Sequence, residues 1–197
     1  MKSHRFILAG ACLLNLLSMP LPAAPMVFKV ETLVDSREES LDRPRTYFKV
    51  GDRRMCFATP PGCELSDSEE SLSLYLSKSH ASGQVTVTNS PFKPTIDLYA
   101  NVDDYVRVAQ AGIPADAEEV DFKGGSDSIY KINRWKSNAL EWTYKWHGRQ
   151  FRRQVAFINI DKEHQVCLTV VSDEVGAAAA IGAARGFVNS WFFGDLM

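Results

Sequence analysis

The residues of this chain that could do chemistry are concentrated in one predicted β-hairpin, residues 139–161, where aromatic side chains fall on alternate positions. His147-Gly148 is typical of a two-residue hairpin turn. A turn there places four pairs on one face, namely Trp146 with Arg149, Tyr144 with Phe151, Trp142 with Arg153, and Leu140 with Val155. Tryptophan, tyrosine and arginine carry much of the binding energy at protein interfaces. The predicted chemistry is therefore contact with a partner. The candidate binding residues are Trp146, His147, Arg149 and Arg153.

Two interpretations of this aromatic face are open. In the first, the face is core beneath a helix, and the arginines stack on the tryptophans at its rim, where an exposed cation–π contact is worth about 0.5–1 kcal/mol. In the second, the hairpin tip around Trp146 and Arg149 is a docking surface. The sequence favours core for Trp142 and Tyr144 and leaves both interpretations open at the tip.

No sequence pattern indicates catalysis or a metal centre. The histidines lack ligand-like spacing, and neither Cys-x-x-Cys nor His-Glu-x-x-His occurs. His164 and Cys167 are three residues apart, so on a regular strand they point to opposite faces. There is no Gly-x-Ser-x-Gly nucleophile elbow. We therefore expect a protein that is not an enzyme and that holds no metal or cofactor.

The elements that must position the hairpin are strands followed by helices. Alternating apolar residues predict strands at 27–34, 47–59 (two, around Gly51-Asp52), 71–77, 85–89, 120–123, 128–135 and 165–171. Residues 60–70 are predicted to be a loop, and Gly124-Gly125 a hairpin turn. An apolar stripe predicts a helix over 101–112, where Asn101 is the N-cap and Gly112 ends the helix.

A second helix is predicted after Ser172 as its N-cap. Its apolar positions follow helical spacing at Ile181, Ala184, Val188 and Trp191. Glycines inside a helix cost roughly 1 kcal/mol each relative to alanine. The predicted compensation is close packing of the helix on the sheet along Ala178, Gly182 and Gly186.

The N-terminus has the pattern of a secretory signal peptide. Lys2 and Arg5 precede the apolar run 6–19, and small residues and prolines follow, which predicts cleavage near Ala24. This predicts a periplasmic or secreted protein. The alternative is an envelope lipoprotein anchored through Cys12, because residues 8–12 loosely resemble a lipobox. The predicted organisation is a signal peptide (1–24), an N-terminal strand with a charged connection (25–46) and one domain (47–197).

Charge argues against two classes of partner. The signal segment holds two basic residues and no acidic one, so the rest of the chain has 20 basic against 24 acidic residues and a net charge of −4. Such a chain has no bulk electrostatic attraction to nucleic acid or to an anionic membrane.

Three cysteines follow the signal segment. In an oxidising compartment Cys56 and Cys63, which flank a predicted turn, could close a small loop worth roughly 2.5 kcal/mol. Cys167 would then be a buried thiol among valines and leucines. Pairing of Cys56 with Cys167 stays open.

The order of these segments resembles the PsbP-like family, which shares its fold with the Mog-type Ran-binding proteins and the bacterial DcrB proteins. The matching marks are a Phe-x-x-Pro-x-Gly turn at Phe57, Pro60 and Gly62 and a C-terminal helix that ends in Ser190-Trp191-Phe192, within a resemblance that covers residues 48–193. The resemblance implies an α+β fold in which helices cover an antiparallel sheet, an α-β-α sandwich. It also implies accessory, assembly or binding roles rather than catalysis.

The expected function is that of a non-catalytic exported accessory or chaperone-like protein that binds another envelope or secreted protein. The alternative is a small-ligand or lipid-binding module with its pocket between the sheet and the helix at 101–111. A hydrolytic enzyme has the weakest support of the three. The sequence indicates neither the partner nor the oligomeric state.

Overall fold

A computed structural model describes residues 25–34, 44–76, 82–95, 102–127, 130 and 137–194. The predicted signal peptide, Cys12 and most of the predicted strand 128–135 lie outside these residues. The described elements are β1 (Met26–Val34), β2 (Pro44–Val50), β3 (Arg53–Phe57), β4 (Cys63–Asp67), β5 (Ser71–Leu76), β6 (Gly83–Asn89), α1 (Val102–Gln110), β7 (Glu118–Asp127), β8 (Ser137–Trp146), β9 (Arg149–Asn159), β10 (Gln165–Asp173), α2 (Ala177–Asn189) and β11 (Phe192–Gly194).

The strands form two antiparallel sheets. The large sheet has the order β4-β5-β6-β10-β9-β8-β7, and the small sheet has the order β1-β2-β3-β11. Helix α1 covers one face of the large sheet, while α2 and the small sheet cover the other. The predicted fold class, an antiparallel sheet with helices on both faces, is confirmed.

The larger core lies between the large sheet, α2 and the small sheet. Alternate residues of the central strands point into it, as a sheet with a buried face requires. Aromatic side chains of the small sheet and α2 complete it: the ring of Phe48 lies 5.4 Å from that of Trp191, which in turn lies 5.2 Å from Phe187. Phe28 of β1 is fully buried in the same core, so β1 folds together with the strands that follow it.

The smaller core lies beneath α1. Tyr105 and Ala109 of the helix pack on Trp142 and Phe157 of the sheet, and the Tyr105 and Phe157 rings stack with centroids 4.4 Å apart. The base of the aromatic face is therefore core, as the first interpretation predicted for Trp142. Tyr144 is buried as well.

The predicted hairpin forms with the predicted register. Trp146 pairs with Arg149, and the pairing continues through Tyr144 with Phe151 to Ser137 with Ile158. His147 and Gly148 have positive φ angles of 48° and 73°, which a two-residue turn between twisted strands requires.

Two predicted irregular segments are strands. Cys63–Asp67, predicted to be loop, forms β4, because Leu65 packs against the core and the segment pairs with β5. Gly124-Gly125, predicted to be a turn, lies inside β7. The register shifts between Phe122 and Gly124, whose φ is 98°, so this glycine permits a β-bulge instead of a turn.

The predicted start of the second helix was wrong. Ser172 and Asp173 end β10, and α2 begins at Ala177. Asp173 Oδ1 instead accepts a hydrogen bond of 2.7 Å from the backbone N–H of Gly176. The carboxylate thus fixes the turn that leads from strand to helix.

The predicted Cys56–Cys63 bridge is not formed in the structure, and neither is the rival pairing. Cys56, Cys63 and Cys167 are free thiols, and burial raises the pKa of each. Cys56 lies in the small sheet and Cys63 at the edge of the large sheet, so the intervening turn leads the chain from one sheet into the other.

Candidate functional site

The tip of the β8–β9 hairpin is anchored to the rest of the molecule. The Trp146 indole is half-buried, and its Nε1–H donates to Asp116 Oδ1 over 2.9 Å. Asp116 belongs to the segment that follows α1, so the indole ties that segment to the tip. Of the candidate residues, His147 is exposed at the turn, with its ring 4.4 Å from that of Trp146.

Arg149 is part of a polar cluster at the beginning of α2. Its guanidinium donates to Asp173 Oδ2 over 2.5 Å, and Ser82 Oγ donates to the same oxygen over 3.0 Å. Burial would raise the pKa of the Asp173 carboxyl, but hydrogen bonds from Gly176 and Ser82 outweigh it and hold the pKa below its ordinary value. Asp173 therefore joins the hairpin tip, β6 and α2 through one carboxylate.

The predicted stacking of arginine on tryptophan was wrong among the described residues. Arg149 lies over the ring of Phe151 at 5.7 Å. Arg153 instead reaches beneath α1, where its Nε–H donates to the carbonyl oxygen of Ala109 over 3.1 Å. A cation at the C-terminus of a helix donates hydrogen bonds to carbonyl groups that lack a partner within the helix, and it interacts favourably with the negative end of the helix dipole. Burial lowers the pKa of this guanidinium. Arg153 is thus placed under α1, away from the tip.

A groove that the sequence did not predict runs beside α2. The predicted packing of Ala178, Gly182 and Gly186 on the sheet was wrong, because these residues are exposed and a Cβ added to either glycine would meet nothing within 4 Å. The close approach of helix to sheet occurs at Ala180, whose Cβ would lie 3.0 Å from a Cβ on Gly83 of β6. The glycine face of α2 instead forms one wall of a cavity.

This cavity, the α2 groove, has a volume of about 400 Å³. Its other wall is the turn between the two sheets together with the ends of β4 and β5. The lining residues are Pro60, Pro61, Gly62, Cys63, Leu76, Ala179, Gly182, Ala183 and Gly186. None of them carries a charge, and most of the lining surface is apolar.

The exposed side of α2 has an unusual composition for a helix on a protein surface. Surface helices normally present charged and polar side chains to water. Here the exposed positions include Ala178, Ala179, Gly182 and Gly186, and Arg185 contributes the charge. The feature of the sequence that indicates this surface is the run AAAAIGAARG, in which nearly every residue on either side of the helix is apolar and most are small.

A second cavity, of about 450 Å³, lies at the other end of α2 and is more polar. Its lining includes Lys123, Thr143, Gln150, Arg152 and Glu174. Both cations are already ion-paired, since Lys123 contacts Asp121 and Arg152 Nε lies 3.1 Å from Glu141 Oε1. This cavity therefore offers a ligand few charges that are not already neutralised.

The pocket predicted between α1 and the sheet is filled by aromatic rings. Phe92 and Tyr105 meet at 4.7 Å, and Tyr105 stacks on Phe157. Across the described part of the chain, no group of three His, Cys, Asp or Glu side chains is placed to hold a metal ion. In that same part, no helix is long and apolar enough to span a bilayer.

The fold places the chain among α+β proteins built on an antiparallel sheet. No protein family matches its sequence, and no curated protein is similar to it at a significant level. Solved structures do match. One is the Ran-binding protein Mog1p of Saccharomyces cerevisiae, at 10% sequence identity and a TM-score of 0.42, over 70% of this chain and 89% of Mog1p.

Another is LpqN of Mycobacterium tuberculosis, described as involved in cell envelope biogenesis, also at 10% identity and a TM-score of 0.42, over 85% of this chain and 92% of LpqN. The predicted resemblance to Mog-type proteins is confirmed as a distant similarity of structure. At this identity the likeness concerns the fold alone.

Proposed function

We propose that this chain is a non-catalytic, exported binding protein of the accessory or chaperone-like kind, and that it holds an apolar segment of another envelope or secreted protein in the α2 groove. The observation that carries the proposal is the groove itself. It combines an uncharged lining with a volume of about 400 Å³ on the surface of a helix whose exposed side carries one charged residue, Arg185. The cores of protein interfaces are similarly depleted in charge.

The glycines of α2 support a partner that approaches closely. Gly182 and Gly186 each cost the helix roughly 1 kcal/mol relative to alanine. Because a Cβ at either position would meet open space, packing among the described residues does not offset that cost. A glycine face does allow another backbone to come closer to the helix than a side chain would.

The groove is better suited to a protein segment than to a polar small molecule. A small-molecule site usually has a few polar groups that fix the orientation of its ligand. The charge-free lining of the α2 groove lacks ionised groups that could do this. An apolar side chain or a helix with small residues needs only shape and burial, at about 25 cal/mol per Å² of apolar surface removed from water.

The hairpin tip is a second proposed contact. His147 is exposed there, and the Arg149 side chain is 57% exposed although it is anchored by Asp173. An anchored arginine loses less conformational freedom on binding than a free one. Trp146 would support this contact by holding the hairpin tip in place, whereas Arg153 holds α1 in place, since both are engaged within the chain.

Affinity capture with groove variants tests this proposal. Gly182→Glu places a charged side chain in the groove, and Arg185→Glu places the same side chain on the same helix outside the lining. We expect Gly182→Glu to reduce recovery of the partner by at least about tenfold, because a buried unpaired charge costs several kcal/mol. Arg185→Glu should retain recovery. Equal recovery with both variants, at undiminished thermal stability, would show that the groove is not the binding site.

A further inference from the structure

The outer face of the small sheet is basic although the chain as a whole is slightly acidic. Strand pairing gives its composition: Glu31, Tyr47, Cys56 and Phe192 form one row, Val27, Lys49, Arg54 and Gly194 the next, and Leu33 lies opposite Arg45. The neighbouring residues Phe28, Phe48, Met55 and Phe57 point the other way, into the core. The paired rows thus carry three cations and one carboxylate.

The single carboxylate in these paired rows of described residues is already neutralised. Glu31 Oε1 lies 2.9 Å from Lys49 Nζ, and Glu31 Oε2 accepts a hydrogen bond of 2.5 Å from the Tyr47 hydroxyl. These contacts hold the pKa of Glu31 below its ordinary value. The remaining positive charge therefore comes from the two arginines.

Neither arginine is ion-paired with a carboxylate of the described residues. Arg54 lies over the ring of Tyr47 at 5.0 Å, and Arg45 lies over the ring of Phe192 at 5.9 Å. Aromatic stacking holds a guanidinium in place without neutralising its charge. Within the described part of the chain, therefore, no carboxylate neutralises either cation.

Large apolar side chains stand exposed among these cations. Leu33 is 40% exposed and Phe192 is 48% exposed, and both flank Arg45. Cations beside exposed apolar side chains on one face are the combination that binds the interface of an anionic bilayer. The cations pair with headgroups, and the apolar side chains enter the boundary with the acyl chains.

We propose that the outer face of the small sheet docks on an anionic phospholipid surface. An acidic protein would match the charge, but it would leave the exposed leucine and phenylalanine without a specific role. The proposal is independent of the α2 groove, because the two sites share no residue. It also differs from the expectation set by the net charge, since local charge and bulk charge have opposite signs on this face.

Vesicle co-sedimentation tests this proposal. The probes are vesicles of phosphatidylcholine alone and of phosphatidylcholine with phosphatidylglycerol, and the protein is the chain as purified from the cells that make it. The test variant is Arg45→Gln/Arg54→Gln, and the matched control is Arg107→Gln/Lys123→Gln. The control removes the same amount of positive charge, but from α1 and from β7. Strand β7 lies at the edge of the large sheet opposite to β4.

We expect binding to the anionic vesicles, little binding to the neutral ones, and weaker binding at high salt. Each basic residue near an anionic surface contributes about fivefold in partition coefficient. Arg45→Gln/Arg54→Gln should therefore lose about 30-fold, and the control should bind as the original chain does. Equal binding to both kinds of vesicle, no binding to either, or an equal loss in test and control would overturn the proposal. A hydrophobic N-terminal segment would add the same vesicle binding to every variant and to both kinds of vesicle. The differences between variants and between vesicles therefore still report the contribution of the basic face.

Discussion

Replacing the two groove glycines by alanine should strengthen the fold and weaken partner binding. Gly182 and Gly186 lie in α2, and an added methyl group at either position contacts nothing within 4 Å. Alanine then gains its full helix propensity, about 1 kcal/mol at each position. For a chain of this length, 1 kcal/mol shifts the melting temperature by about 2–4 °C. Gly182→Ala/Gly186→Ala should therefore melt about 4–8 °C higher.

The assay is thermal and urea unfolding followed by circular dichroism, with Arg185→Ala as the control. Arginine and alanine are both good helix formers, so Arg185→Ala should change the unfolding free energy by less than about 0.5 kcal/mol. A lower melting temperature for the double alanine variant would refute the reasoning, because the glycines would then be packed against another part of the molecule. A higher melting temperature with undiminished partner binding would support the structure but contradict the proposed use of the groove.

The remaining predictions concern the polar contacts that hold the site. Asp173→Ala should lower the unfolding free energy by about 2–4 kcal/mol in urea titration, because it leaves Arg149 and the Gly176 N–H without their acceptor. Asp161→Asn should reduce the acid sensitivity of the fold. Burial would raise the pKa of Asp161, but hydrogen bonds from the Glu163 N–H and from His164 hold it below its ordinary value. Its contribution to stability is therefore present above the unfolded-state pKa, near 4, and is lost as the pH falls through the folded-state pKa. A melting temperature that falls equally in Asp161→Asn and in the unchanged chain between pH 5 and pH 3 would contradict this. Arg153→Met should lower the unfolding free energy by about 1–3 kcal/mol by removing the hydrogen bond to the last turn of α1. Amide exchange in α1 should then accelerate more than exchange in α2.

The hairpin could be predicted from the sequence because its register follows from local rules. A two-residue turn at His147-Gly148 fixes every pair along β8 and β9, and alternation then assigns the faces. Burial of Trp142 and Tyr144 followed from the same pattern. The chemical roles of Arg149 and Arg153 could not be predicted, because their partners Asp173 and Ala109 lie 24 and 44 positions away in the sequence.

The α2 groove could not be predicted for two physical reasons. Periodicity identifies the buried side of a helix by contrast with a polar side, and residues 177–184 are small and apolar on both sides. In addition, the groove joins the turn at Pro60–Gly62 to a helix more than 100 residues later, and only the pairing of the sheets brings these segments together. The strand β4 was missed because CELSD is short and only Cys63 and Leu65 reach the core, both of them partly buried.

The central claim is that the α2 groove binds another protein, and site-specific photo-crosslinking tests it most directly. A photoreactive amino acid at Ala183 lies within the groove, and one at Arg107 lies on the exposed side of α1 and serves as the control. Irradiation of cells that make the chain should give one predominant adduct from position 183, which Gly186→Glu should abolish, and none from position 107. The same adducts from both positions, or an adduct from position 183 that persists in Gly186→Glu, would contradict the proposed function.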